Sequence, residues 1–152
     1  MSTERGFFEK KRVFTVLLCL ILCFIWGNSL LGAEVSGAIS HFVADLFTGE
    51  QGASDEGHYL LRKAAHFCEF AALGAIFLLF SRAWSVGREL ALALCAFVGV
   101  FVPLVDETIQ IFTGRGPALS DVWIDIAGYT FGTFLCVLGL ILTARGIARR
   151  RK

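Results

Sequence analysis

Arg62, His66 and Glu69 stand at i, i+4 and i+7, with Lys63 beside them, in a stretch that is otherwise apolar. On a helix that spacing puts them on one face. A guanidinium and an ammonium together hold carboxylate or phosphate groups. An imidazole oriented by a carboxylate can take and return a proton near neutral pH. Further along, Asp106 and Gln110 repeat the i, i+4 spacing with Glu107 beside Asp106, and Arg115 follows in a Gly-Arg-Gly-Pro turn. Asp121 and Asp125 form another i, i+4 pair. The candidate acid–base set is His66, oriented by Glu69 or Asp106. The candidate binding set is Arg62, Lys63, Glu107, Gln110, Arg115, Asp121 and Asp125. A metal could take His66, Glu69 and Asp106 as ligands, but a single histidine among carboxylates reads as a salt-bridged network. Neither a metal nor any other cofactor is expected.

The elements that must position these groups are apolar. Of 152 residues 56% are hydrophobic and only 18% charged, with a mean hydropathy of +0.69. Soluble domains carry about 25% charged residues. Four segments, 13–31, 62–80, 89–111 and 121–143, approach the roughly 20 apolar residues that cross a bilayer as a helix. The first is longer than a signal-peptide core, and no clear small-residue cleavage site follows it. The expectation is one domain over 1–152, an all-α integral membrane bundle of four transmembrane helices. The 16 glycines suit close helix packing in lipid. The five cysteines all lie in apolar runs and are expected to fill the interior as small apolar side chains.

Basic residues orient the bundle. With the N-terminus inside, eleven of the fourteen Lys and Arg are cytoplasmic, and only Arg62, Lys63 and Arg115 face out. Both termini are therefore expected in the cytoplasm. The first outer loop has helical periodicity over 34–47, with Val35, Ile39, Phe42, Val43, Leu46 and Phe47 on one face. An amphipathic helix is expected there, lying on the outer membrane surface or packed over the ends of the bundle. The stretch GEQGASDEG, 49–57, reads as an exposed turn.

With that topology the polar residues converge. Arg62 to Glu69 start the second helix, Asp106 to Gln110 end the third, Asp121 and Asp125 start the fourth, and Asn28 and Ser29 end the first. All lie at the outer edge of the hydrocarbon, and the inner halves carry no comparable cluster. Pro103 is expected to kink the third helix near Gly99, and Ser120 to N-cap the fourth. Gly128 and Gly132 continue the stripe of Asp121 and Asp125, so a neighbouring helix can pack close just beneath the site. No phosphate-binding loop, dinucleotide fingerprint or serine-nucleophile elbow occurs. The basic C-terminus, RGIARRRK, suits anionic lipid and not nucleic acid.

RKAAHFCEFAALG (62–74) and DETIQIFTGRGPALSDVWIDIAGYTFG (106–132) together resemble the VanZ-like family of small bacterial membrane proteins. The pattern is R-K-x-x-H-F-x-E, then D-E-x-x-Q, then a G-R turn before a Gly-rich helix, and the resemblance covers nearly the whole chain when the first helix and the outer amphipathic segment are counted. The positions matched are Arg62, Lys63, His66, Glu69, Asp106, Glu107, Gln110, Arg115, Asp121 and Asp125. Phe70 stands where tyrosine is common. The resemblance implies a multi-pass protein of the bacterial cytoplasmic membrane, and the founding member is associated with resistance to teicoplanin. The expected partners are membrane lipids and an anionic amphiphile: a lipid headgroup, a lipid-linked wall precursor or a lipoglycopeptide, recognised or modified at the outer leaflet. The alternatives are a structural or accessory module with a self-satisfied ion-pair network, and an ion- or proton-coupled transporter. Transport needs polar residues through the full membrane depth, which the inner halves lack.

Overall fold

The structure is a computed structural model that describes residues 2–31, 35, 38, 55–114 and 118–150. Four helices follow one another: α1 (Ser2–Leu30), α2 (Asp55–Ala83), α3 (Arg88–Phe112) and α4 (Leu119–Arg150). Among the described residues there is no strand. Each helix contains a span long and apolar enough to cross a membrane: Phe8–Leu30, Tyr59–Ala83, Arg88–Phe112 and Leu119–Arg150. Only 11–33% of each apolar window is buried inside the bundle, so most of its surface is left for lipid.

The helices outrun the apolar segments that announced them. α1 begins at Ser2, α2 at Asp55 and α4 ends at Arg150, against expected limits of 13, 62 and 143. Hydropathy registers the lipid-embedded part of a helix. Charged turns that continue it into water keep their backbone hydrogen bonds without an apolar signal. Asp55, Glu56 and Gly57 are thus helical and not part of an exposed turn. The amphipathic helix expected over 34–47 lies outside the described residues, apart from Val35 and Ala38.

α2 packs most extensively against α4, and α1 lies against α2. The α2–α4 contact is close because the backbones meet at glycine. A side chain on Gly128 would collide with the carbonyl of Phe67, and one on Gly132 with that of Ala71. Matching steps of four residues on both helices make this a parallel, in-register seam. It is the close packing that the Gly128 and Gly132 spacing predicts.

Beneath the polar end, Ile25, Phe70, Leu73, Phe77, Val102 and Tyr129 form one apolar cluster drawn from all four helices. α3 runs through Pro103 without interruption. Pro103 has no N–H for the Gly99 carbonyl, and Gly99 faces the Tyr129 ring, where an added Cβ would be 2.7 Å from Cδ1. At the other end, Trp84 donates from Nε1 to Thr15 Oγ1 at 3.2 Å, and Lys11 sits 4.9 Å over the Trp84 ring. These contacts pin α1 to the α2–α3 turn. The cysteines depart from expectation: Cys19, Cys23 and Cys68 are exposed on the bundle surface, and all five are free thiols. Lipid accepts a thiol as readily as a protein core does.

Candidate functional site

The polar residues form a layer at the end of the bundle where α1 and α3 finish and α2 and α4 begin. Alternating helix directions bring these four termini to one level. The register along the α2–α4 seam then decides which side chains face one another.

On α2, Lys63 lies opposite Asp121 of α4, with Nζ 2.9 Å from Oδ1. Lys63 also covers the Tyr59 ring at 4.3 Å. One turn deeper, His66 lies opposite Asp125, with Nδ1 3.6 Å from Oδ1. From α3, Asp106 Oδ2 approaches the same Nδ1 to 3.9 Å. His66 is 7% exposed, Asp106 0% and Asp125 1%, so this trio is enclosed.

Asp106 is held by α1 and by its own helix. Ser29 donates from Oγ to Asp106 Oδ1 at 2.6 Å, and Gln110 donates from Nε2 to Oδ2 at 2.8 Å. Two donors and complete burial fix the orientation of this carboxyl group. Thr113 Oγ1 donates to the Ser29 carbonyl at 3.1 Å and closes the α1–α3 contact. Asp125 differs: neither of its oxygens has a hydrogen-bond partner among the described residues, and His66 Nδ1 also lacks one. Both distances from Nδ1 exceed hydrogen-bond length.

The expected residues separate by role. His66, Asp106 and Asp125 come together. Glu69, expected to orient His66, instead accepts from Asn28 Nδ2 of α1 at 3.3 Å. Glu107 accepts from the Ala118 backbone N–H, tying the end of α3 to the start of α4. That contact displaces the expected N-cap. Ser120 lies within the first turn of α4 and donates to Asp121 Oδ1 at 3.0 Å. Gln110 is turned inward onto Asp106 and 5% exposed. Arg115 lies outside the described residues.

A small, partly open cleft reaches this layer, lined by Arg62, Lys63, His66, Asp121, Ile124 and Asp125. It has room for about one water-sized particle. Arg62 is half-buried at the cleft and makes no hydrogen bond or ion pair among the described residues. Ser29 and Asn28 join the site as donors. Their sequence signal was only a polar pair at the end of an apolar helix, and no spacing rule says which carboxylates they reach.

A protein-family model described as VanZ/LLP1 matches residues 14–142. No curated protein and no solved structure gives a significant match.

Proposed function

Because the chain belongs to the VanZ/LLP1 family, whose model spans all four helices, we propose that it receives the anionic head of an amphiphile at the outer leaflet of a bacterial cytoplasmic membrane. The candidates are a lipid headgroup, a lipid-linked wall precursor and a lipoglycopeptide of the teicoplanin kind. One observation carries this reading: Arg62 lines a cleft with no carboxylate of its own among the described residues. Lys63 stands beside it. A planar guanidinium at the lipid boundary, next to an ammonium, suits phosphate or carboxylate.

The cleft is too small to swallow a headgroup. The anion would rest at the mouth on Arg62 and Lys63, while its tails stay in lipid. His66 lies below, bracketed by Asp125 and Asp106, and is the group that could exchange a proton with a bound head. The positive-inside distribution supports outward placement of this end. A purely structural network accounts for Asp106 and for the Lys63–Asp121 pair. It accounts neither for Arg62 nor for the oxygens of Asp125, which have no partner among the described residues. Coupled transport finds little support, because the layer beneath the site is the apolar cluster around Phe70 and Tyr129.

The test is to measure binding of a polyprenyl phosphate and of teicoplanin to the purified protein. Lipids and wall precursors are profiled in parallel, in cells expressing wild type, Arg62→Ala or His66→Ala. Binding that weakens in Arg62→Ala supports the reading. A modified species seen with wild type and absent with His66→Ala assigns a reaction to the site. No binding of either probe by the wild type overturns the reading.

A further inference from the structure

We infer that His66, Asp106 and Asp125 form a binding site for one divalent transition-metal ion of the zinc or manganese kind. One ligand atom from each residue can be chosen so that all three lie within 4.8 Å of one another. Around an ion with bonds of about 2.1 Å, neighbouring ligands sit about 3 Å apart and opposite ones about 4.2 Å. The observed 3.6 Å and 3.9 Å separations from His66 Nδ1 fall within that range. They are too long for direct hydrogen bonds.

The state of the donors points the same way. Asp125 is 1% exposed and neither oxygen has a hydrogen-bond partner among the described residues. The same holds for Nδ1 of His66, which is 7% exposed. Buried carboxylates and imidazoles ordinarily have partners. Here two elements direct such atoms at one point, and a third contributes Asp106. The charges also fail to balance. When both are ionised, Asp106 and Asp125 face at most one positive charge among the described residues, on His66, because Lys63 is engaged by Asp121 and Arg62 lies nearer the mouth. A dication answers both the missing bonds and the missing charge.

The surroundings match those of known ligands. Ser29 and Gln110 hold Asp106 by hydrogen bonds, as outer-shell groups do for ligating carboxylates. An imidazole with two carboxylates favours a transition metal over magnesium or calcium, which take oxygen alone. Three protein ligands leave coordination positions open, and the cleft above them has room for about one water-sized particle. That is the arrangement of a reactive metal and not of a closed structural one. Such an ion could bind an anion's oxygen or activate a water there. A single histidine in the polar cluster weighed against a metal; the atoms of Asp125 and His66 without a partner among the described residues weigh for it. The inference stands apart from the amphiphile reading and is tested with metal alone.

The full-length protein, purified with a histidine-free tag and stripped by chelator, is titrated with Mn²⁺ and Zn²⁺. Bound metal is counted after desalting. Electron spin-echo spectra of the Mn²⁺ form report any imidazole nitrogen on the ion. The expected result is about one equivalent bound, with a nitrogen coupling that disappears in His66→Gln. Affinity falls at least about tenfold in His66→Gln and Asp125→Asn, and by a smaller factor in Ser29→Ala. Wild-type protein holding less than about a tenth of an equivalent overturns the site, as does metal binding unchanged in both ligand variants. Should those variants fail to fold, the wild-type spectrum decides alone: bound Mn²⁺ without a nitrogen coupling overturns the assignment.

Discussion

Gly132 of α4 lies against the backbone of Ala71 on α2, with no room for a side chain between them. The contact sits two turns below Asp125 on the same stripe. It therefore sets both the spacing of the two helices and the height at which His66 meets Asp125.

Replacing Gly132 with leucine should push the helices apart. Overpacking typically costs about 1–3 kcal/mol, and here the obstruction is backbone, which cannot rotate away. Thermal unfolding in detergent should show a clear fall in Tm for Gly132→Leu. Gly139, on the same helix, has nothing within 4 Å of an added Cβ. Gly139→Leu should melt like wild type. Equal melting of the two variants would mean that the seam does not hold the bundle together.

Ser29→Ala removes the 2.6 Å hydrogen bond to buried Asp106. Hydrogen bonds to charged groups contribute about 1.5–3 kcal/mol, so a loss of that size is expected in chemical unfolding. A double-mutant cycle with Asp106→Ala should give a coupling of at least about 0.5 kcal/mol. Additive effects would mean that the two side chains act independently.

Lys63 and Asp121 make opposite predictions for ligand binding. Their pair is only partly buried, with each side chain 16% exposed. Breaking it should change stability by less than about 1 kcal/mol. Asp121→Asn frees the ammonium and should tighten binding of an anionic amphiphile in lipid nanodiscs. Lys63→Met should weaken it. If both substitutions weaken binding alike, the pair serves the fold and not the ligand.

The orientation of the bundle is open to direct chemical labelling. In a background without native cysteines, Ser120→Cys lies at the site end and should react with a membrane-impermeant maleimide on intact cells. Ser85→Cys, in the α2–α3 turn, should react only after permeabilisation. The reverse pattern would place the site in the cytoplasm.

Much of this arrangement can be read from residue order, because lipid imposes long apolar helices and leaves charges few places to go. The spacing of Arg62, His66 and Glu69 marks one face of α2, and the step from Gly128 to Gly132 marks a contact surface of α4. The face of one helix does not name the residue across from it. Glu69 shares a face with His66 but lies almost a turn deeper, level with Asn28 of α1. Asp125 meets His66 because the glycine seam fixes the register of α4 on α2, a relation between residues distant in sequence. Ser120 has the composition of an N-cap, yet α4 begins at Leu119 and Glu107 of α3 reaches the Ala118 N–H instead.

α4 has 32 residues, and at 1.5 Å per residue it is about 48 Å long, against a hydrocarbon thickness of about 30 Å. The excess belongs at the basic end, where Arg145, Arg149 and Arg150 need water. Asp125 is six residues from the start of the helix, about 9 Å along its axis. With the start of α4 at the edge of the hydrocarbon, the trio sits within acyl-chain depth, just under the headgroups. On the proposed reading, a lipid-borne partner would never need to leave its leaflet to arrive. It would drift sideways in two dimensions, already concentrated by the membrane that holds it, so a weak grip at the cleft mouth would be enough.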